Sequence, residues 1–349
     1  LNAISFISAP YIMKWMGTTG FVYENSVRYL LILSFELPVL FVFFAFVSVR
    51  QASGDTVTPV IYGVVTMVVN IVLTPIFIQV LGFGVPGAAI ATLIANVIII
   101  PVGLLQLFHS KTGITISWKY LKLDPEIARN IIRIAIPASL GQAITSIGFI
   151  IMNAIIVSYG DQTVAAFSVG NRISSIILHP VMALGGVLAT YMGQNIGNNN
   201  IPRAKETFKK AMILSIVLMT VGSYALLPFR EFLAGFFIKD DPLALQLADN
   251  YMLYLLLGMP LMAIFQTFIS TYTGTGNTKY TFILSITRLW FLRIPLVYFF
   301  KEYTELGSTG IWYAMLISNV VIILLGIILY AQVDYKPKIK EIKLEEQPE

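Results

Sequence analysis

The sequence is dominated by nine continuous apolar runs with short polar stretches between them. A helix of about 20 apolar residues crosses the hydrocarbon core of a bilayer. The runs lack the two-residue alternation of barrel strands, so they predict helices. Residues 1–13 resemble the end of a further run, and we predict an all-α membrane protein with about ten membrane segments. The complete runs are 26–49, 57–80, 87–108, 130–158, 162–190, 207–237, 246–271, 279–300 and 309–331.

The composition is typical of a protein whose surface faces lipid. Of all residues, 57% are hydrophobic and 12% are charged, whereas a soluble domain has about 25% charged residues. With no Cys and two His, the chain has no disulfide, thiol nucleophile or Cys- or His-based metal centre. We therefore expect no metal and no cofactor. Most Lys and Arg lie in short loops or near the C-terminus and form no basic stripe interleaved with aromatic residues, which argues against a nucleic-acid partner.

An internal repeat divides the chain. A shift of 222 residues places Tyr29–Thr56 on Tyr251–Thr278, and a shift of 223 places Gly87–Gly103 on Gly310–Gly326. Shared apolar composition does not explain the coincident Pro, Gly and Asn residues. The shift spans an even number of crossings, so the two halves run in the same direction through the membrane. The coincident residues include Pro38/Pro260, Gly54/Gly276, Gly87/Gly310, Asn96/Asn319 and Gly103/Gly326.

The repeat predicts two six-helix lobes related by a parallel repeat. Residues 1–108 are the last four membrane segments of the N-terminal lobe, whose start we expect to precede Leu1. Residues 109–129 are a cytoplasmic connector, 130–331 the C-terminal lobe and 332–349 a cytoplasmic tail.

The distribution of basic residues predicts the orientation. Connectors 109–129 and 192–206 and the tail are rich in Lys and Arg, whereas loops 79–86 and 158–162 have none. Basic loops stay in the cytoplasm, so we expect the C-terminus there. The basic residues are Lys111, Lys119, Lys122 and Arg129, then Arg203 and Lys205, and Lys336, Lys338, Lys340 and Lys343 in the tail.

Three stretches resemble motifs of the MATE (multidrug and toxic compound extrusion) family. They are Gly193–Asn200 followed by Arg203-Ala204, Arg50 with Gly54–Thr56 and Pro59, and Gly82–Thr92. The resemblance covers nearly the whole chain. It implies two lobes around a central cavity. It also implies export of small organic compounds, often cationic or amphipathic, against inward flow of H⁺ or Na⁺.

Four residues are candidates for ion coupling. Glu36 is the only carboxylate deep inside a complete run, where apolar surroundings disfavour its charge. The alternative is a structural ion pair with Arg288 or Arg293. The resemblance implies that Asn70 and Thr92 correspond to residues of a cation site found in the MATE family. Thr74 lies where several family members have an Asp. For these three, ordinary interhelical hydrogen bonding is the alternative.

Further polar residues inside the apolar runs are candidates for the substrate cavity. They are Gln142, Asn153, Asn171 and His179. His179 lies beside Pro180 and also fits a simple interface hydrogen bond. For Arg172, Arg288 and Arg293 we expect a structural pairing role. For Arg288 and Arg293 the expected partners are carboxylates or carbonyls, with anion binding as the alternative.

We interpret the chain as a secondary active antiporter that works by lobe rocking, not as an enzyme. We expect a monomer that crosses the plasma (inner) membrane several times. One alternative is a lipid-linked oligosaccharide flippase of the same superfamily, which favours a cavity rich in Arg and Lys. A membrane-embedded enzyme such as a prenyl transferase needs paired Asp motifs, and the sequence has only Asp240-Asp241.

The predicted orientation can be tested by cysteine labelling, because these 349 residues contain no Cys. In intact cells, a membrane-impermeant maleimide should label Asp161→Cys, which lies beside a loop without basic residues. Arg203→Cys should react only after the cells are permeabilised. The opposite pattern would show that the basic loops lie outside.

Overall fold

The computed structural model describes residues 2–15, 17–108, 124–239 and 241–336. Within these ranges every regular element is helical, and nine spans are long and apolar enough to cross a membrane. The prediction of an all-α membrane fold is thus confirmed. The helices are α1 (Asn2–Trp15), α2 (Gly20–Ala52), α3 (Val57–Pro75), α4 (Gly84–Phe108), α5 (Pro125–Val157), α6 (Asp161–Gly197), α7 (Ile201–Leu226), α8 (Arg230–Phe237), α9 (Pro242–Gly274), α10 (Thr278–Ile286), α11 (Ile294–Tyr303) and α12 (Thr309–Ala331).

Helix starts follow local capping chemistry. Asp124 accepts hydrogen bonds from the N–H groups of Glu126 (2.8 Å) and Ile127 (3.2 Å), and α5 begins at the following proline. Asn200 and Asp241 cap α7 and α9 in the same way. Such side chains satisfy N–H groups that have no partner within the helix, and proline fits the first turn because it lacks this N–H group.

Several predicted boundaries are wrong, and the helices extend beyond the apolar runs. Helix α5 begins at Pro125 instead of residue 130. The predicted connector 192–206 is mostly helical, because α6 continues to Gly197 and α7 begins at Ile201. Hydropathy detects only the lipid-facing part of a helix, and a polar extension needs only its own backbone hydrogen bonds. Asn199 provides the turn, with φ of 53°.

Two spans contain π-helical turns next to a proline. One turn, Ile76–Val80, follows Pro75, and the other, Thr287–Arg293, joins α10 to α11. A proline removes a backbone donor, so the ladder of hydrogen bonds shifts locally. The second turn carries both Arg288 and Arg293.

The chain divides into two compact units, Leu1–Lys122 and Leu123–Glu349. Each has a turn of the same form after its 33-residue helix, α2 in the first unit and α9 in the second. Gly54 and Gly276, which the repeat equates, both have positive φ, at 88° and 69°. This left-handed conformation favours glycine.

The same kind of helix packing occurs inside each unit. Gly103 of α4 packs on the ring of Phe46 from α2, and Gly326 of α12 packs on Phe268 from α9. The small side of a glycine lets a neighbouring helix approach closely, as is common in membrane helices. In the second unit, the Tyr272 hydroxyl also donates to the Gly326 carbonyl at 2.6 Å.

Some sequence predictions lie outside the described residues. They concern connector residues 109–123 with Lys111, Lys119 and Lys122, the tail from residue 337 with Lys338, Lys340 and Lys343, and Asp240. The described basic residues Arg129, Arg203 and Lys205 lie in the first two turns of α5 and α7.

We expect Gly326→Ala to destabilise the protein by about 1–3 kcal/mol, the usual cost of overpacking. An added Cβ would lie 2.6 Å from Cδ2 of the buried Phe268 ring. The matched control is Gly103→Ala, whose Cβ would lie 3.4 Å from Phe46. Because alanine favours the helix, this control should be neutral or slightly stabilising. Thermal unfolding in detergent measures both, and equal effects would contradict the packing difference.

Candidate functional site

Glu36 is buried within the first unit and paired with an amide. It lies in the middle of α2 and is 7% exposed. Asn96 of α4 donates from Nδ2 to Glu36 Oε1 at 2.7 Å. A buried carboxyl group needs such a partner, because the apolar surroundings cannot replace its hydration. The contact joins α2 to α4 near the middle of both helices.

The hydrogen bonds continue from Asn96 to α3. Asn96 Nδ2 also contacts the Thr92 carbonyl at 3.1 Å, and Asn70 Nδ2 donates to Thr92 Oγ1 at 2.9 Å. Thr74 Oγ1 donates to the Asn70 carbonyl at 2.7 Å. We call Glu36, Asn96, Thr92, Asn70 and Thr74 the Glu36 network. It brings together the four residues that the sequence singles out for ion coupling, although hydrogen bonding by itself assigns them no role.

Asn96 is the member that the functional analysis of the sequence missed. Two signals could have identified it. It follows Thr92 by four residues, so both lie on one face of α4, and the repeat equates it with Asn319. With Asn70 and Thr92, Asn96 borders an open recess of about 340 Å³.

The second unit contains a cavity of about 310 Å³, which we call the arginine cavity because Arg288 and Arg293 line it. Helices α5, α6, α9 and α12 and the π-helical turn Thr287–Arg293 supply the walls. Tyr251 and Trp312, which stack at 4.0 Å between ring centroids, form part of its aromatic lining. Gly170 leaves room for the Tyr251 ring. This volume is at the lower end of small-molecule sites.

Both arginines of the cavity are buried and have neutral partners. Arg293, 3% exposed, donates from Nε to Ser318 Oγ at 3.1 Å and from Nη2 to Asn319 Oδ1 at 2.9 Å. Arg288, 6% exposed, contacts the Met262 sulfur at 3.0 Å and lies 4.1 Å from the centre of the Phe265 ring. Within the described ranges, the ion pairs involve other residues. Within the described residues of the second unit, neither arginine forms an ion pair with an Asp or Glu.

The two units place opposite charges beside equivalent asparagines. Asn96 donates to Glu36, whereas Asn319 accepts from Arg293. The repeat equates Glu36 with Gly258, and a Cβ added to Gly258 would lie 3.9 Å from Asn319 Nδ2. The donor end of Asn319 thus faces the position where the first unit has its acid. A side-chain amide can form hydrogen bonds with a negative or a positive group, because it has both donor N–H groups and an acceptor oxygen.

The remaining candidates from the sequence are dispersed over α5 and α6. Asn171 lines the arginine cavity and accepts a hydrogen bond from the Tyr251 hydroxyl at 3.1 Å. Gln142 and Asn153 are exposed. A ring nitrogen of His179, also exposed, contacts the Ser175 carbonyl one turn earlier. Arg172 is exposed and lies 5.8 Å from the centre of the Phe237 ring.

The turn between α2 and α3 is stabilised by charged groups of the stretch that starts at Arg50 and resembles a MATE motif. Arg50 Nη1 lies 3.7 Å from Asp55 Oδ2, and Nη2 donates to Gln106 Oε1 at 3.2 Å. Hydrogen bonding from Thr58 lowers the pKa of the Asp55 carboxyl, and the charge of Arg50 lowers it further. The ionised carboxylate also receives the backbone N–H of Thr58 at 3.0 Å, at the start of α3. These contacts fix how α3 leaves the end of α2.

Comparison with known proteins gives a family match over most of the chain. The family model described as MatE matches residues 1–76 and 137–299. A solved MOP superfamily transporter from Pyrococcus furiosus has a TM-score of 0.91 at 23% identity, over 95% of this chain and 74% of that one. At this identity the structural match shows the fold.

Two curated relatives are similar over most of this chain. "Probable multidrug resistance protein YoeA" of Bacillus subtilis is 27% identical over 319 residues, 89% of this chain and 69% of the relative. The "FAD transporter" of Shewanella oneidensis is 26% identical over 285 residues, 80% of this chain and 62% of the relative. Both names describe movement of, or resistance to, small organic compounds.

We expect Asn319→Leu to destabilise the protein by about 1–3 kcal/mol, because Arg293 loses an acceptor inside the bundle. Arg293→Met should cost much less, since it removes the buried charge itself. In the double variant, the Asn319 substitution should then add little. Thermal or denaturant unfolding in detergent measures the unfolding free energies of the wild type, the two single variants and the double variant, which together form a double-mutant cycle. Strictly additive losses would show that the two side chains are not energetically coupled.

Proposed function

Because the chain belongs to the MatE family of multidrug efflux transporters, we propose that it is a secondary active antiporter. It exports organic compounds, cationic or amphipathic ones among them, in exchange for H⁺ or Na⁺. It needs no cofactor and acts as a monomer in the plasma membrane, with a cytoplasmic C-terminus. The names of the two relatives, a multidrug resistance protein and an FAD transporter, support the transport of small organic molecules.

The observation that carries the coupling proposal is the Glu36 network. A carboxyl group inside a membrane span is costly and is a functional hypothesis by default. Glu36 is buried, and Asn96 contacts one of its oxygens at 2.7 Å. The network offers a proton acceptor at one end and the amide and hydroxyl oxygens of Asn70, Thr74 and Thr92 at the other. Hard cations favour such oxygen ligands.

In the proposed cycle, the coupling ion and the substrate compete for the first lobe. Binding of H⁺ or Na⁺ neutralises Glu36 in one orientation of the lobes. A cationic substrate loses its counter-charge and leaves on that side. When the ion dissociates on the other side, Glu36 is charged again and accepts the next substrate. Each ligand shifts the equilibrium only through its different affinity for the two orientations, and the lobes rock as in other transporters built from repeats.

We expect Glu36→Gln to reduce gradient-driven export to background. The amide keeps the size and much of the hydrogen-bonding capacity of the acid but cannot bind and release a proton or a cation in the same way. Export of a fluorescent cation such as ethidium from proteoliposomes, driven by an imposed gradient, measures the effect. Glu24→Gln is the matched control, because Glu24 lies on the same helix and is exposed; it should export at the wild-type rate.

Separate gradients distinguish the coupling ion. Export driven by a pH gradient without Na⁺ assigns H⁺, and export that needs a Na⁺ gradient at equal pH assigns Na⁺. Wild-type export by the Gln variant, with the wild-type dependence on pH and Na⁺, would remove Glu36 from the mechanism. A folded protein that exports nothing under either gradient would contradict antiport itself.

A further inference from the structure

We propose that the arginine cavity of the second unit binds an organic anion with an aromatic or apolar body. The anionic group, a carboxylate or a group of similar charge, lies between Arg288, Arg293 and the donor end of Asn319. This proposal goes beyond the proposed antiport and does not depend on it, because binding is measured at equilibrium without a gradient.

The charge of the two arginines supports this assignment. Arg288 and Arg293 are 6% and 3% exposed, and among the described residues no Asp or Glu lines the cavity. Their neighbours are neutral: a hydroxyl, an amide, a thioether and an aromatic ring. Two buried cations without a counter-charge are costly. A bound anion supplies the missing charge.

Two residues that line the cavity also have unused hydrogen-bonding capacity. In the described part of the chain, Arg288 Nε and Trp312 Nε1 are buried side-chain nitrogens without a hydrogen-bond partner. Both residues line the cavity, and both atoms can only donate. Buried polar atoms in native proteins are normally paired. The wall of the cavity therefore contains donor groups without an acceptor among the described residues, and the cavity itself has no anionic side chain among them.

The internal repeat indicates where the anionic group lies. In the first unit, Asn96 Nδ2 donates to the carboxylate of Glu36. In the second, Asn319 Nδ2 faces Gly258, which also lines the cavity and has no side chain. The ligand's anionic group therefore occupies the place that the Glu36 carboxylate has in the first unit, with the charge supplied from outside the chain.

The remaining lining defines the body of the ligand. Phe149, Tyr254 and Trp312 contribute aromatic surface, and Met259, Met262 and Met315 contribute thioethers. Aromatic and methionine side chains accept flat apolar groups of varied shape. A volume of about 310 Å³ admits a fused two-ring aromatic acid.

Equilibrium dialysis tests the charge preference on the wild-type protein alone. The purified chain in phosphatidylcholine nanodiscs is titrated with 2-naphthoate, neutral 2-naphthamide and cationic 2-naphthylmethylammonium, with empty nanodiscs as baseline. We expect naphthoate to bind at least about tenfold more tightly than the amide, since charge-assisted hydrogen bonds are lost with the charge. Equal affinities, or tightest binding of the cation, would overturn the proposal.

Variants then locate the site. Arg288→Gln should weaken naphthoate binding at least about tenfold and leave naphthamide unchanged, whereas Arg288→Lys should retain the preference. The matched control is Arg172→Gln, because Arg172 is an exposed arginine of the same unit. Wild-type naphthoate binding by folded Arg288→Gln would overturn the assignment. If that variant does not fold, the affinities of the three ligands for the wild-type chain still test whether the cavity prefers an anion.

A pair of variants at Gly258 tests, without any ligand, whether Arg288 and Arg293 lack a counter-charge. Gly258→Glu restores an acid at the position of Glu36, and Gly258→Gln adds similar volume without charge. The Glu variant should unfold at a higher temperature than the Gln variant and should no longer bind naphthoate. An equal or lower unfolding temperature for the Glu variant would show that the arginines are not short of a counter-charge.

Two competitors distinguish the source of the anion. If inorganic phosphate displaces naphthoate at equal concentration, the cavity selects charge alone and the organic body is not recognised. If naphthoate binding disappears when the nanodiscs contain phosphatidylglycerol, a lipid headgroup is the occupant. Either result would overturn a soluble organic ligand, and retention of naphthoate in both cases supports it.

Discussion

The absence of water around the spans governs this structure. In hydrocarbon, each polar group must find its partner inside the protein, or its burial costs several kcal/mol. The backbone meets this requirement as helices. The side chains meet it through short local contacts, such as Asn96 with Glu36 and Tyr272 with the Gly326 carbonyl. A buried charge whose neighbours are all neutral is therefore informative, and Arg288 and Arg293 are two such charges in the described part of the second unit.

The sequence was sufficient to predict a helical membrane fold, because a bilayer restricts the length and hydropathy of the segments that cross it. Long apolar runs predicted the helices, and the repeat predicted the correspondence of positions such as Gly54 with Gly276. Helix ends were predicted poorly, because polar turns at the end of α6 resemble loop residues when only hydropathy is considered. Their positions depend on caps such as Asn200 and on a single left-handed residue, Asn199.

The sequence indicated several residues that belong to the sites, but it did not indicate which residues contact each other. Glu36 and the arginines stand out because charges are rare inside apolar runs. Their partners depend on helix rotation and on close packing at glycines, which the linear pattern does not specify. Asn96 contacts Glu36 from 60 residues away, and the π-helical turn that carries Arg288 and Arg293 alters the side-chain direction that a regular α-helix would predict. Gln142 and Asn153 were selected by polarity, yet they lie on exposed faces of α5.

Asn96 and Asn319 have a consequence for how such transporters diversify. After an internal duplication, both halves inherit the same amide on the same helix. An amide tolerates either sign of charge, so the residue facing it can change from an acid to glycine, and a guanidinium can arrive from a neighbouring helix, while the glycine–phenylalanine contacts between helices remain. The sign of the charge beside the amide can therefore change while the helix packing is kept, and one ancestral scaffold can hold opposite charges in its two halves after few mutations.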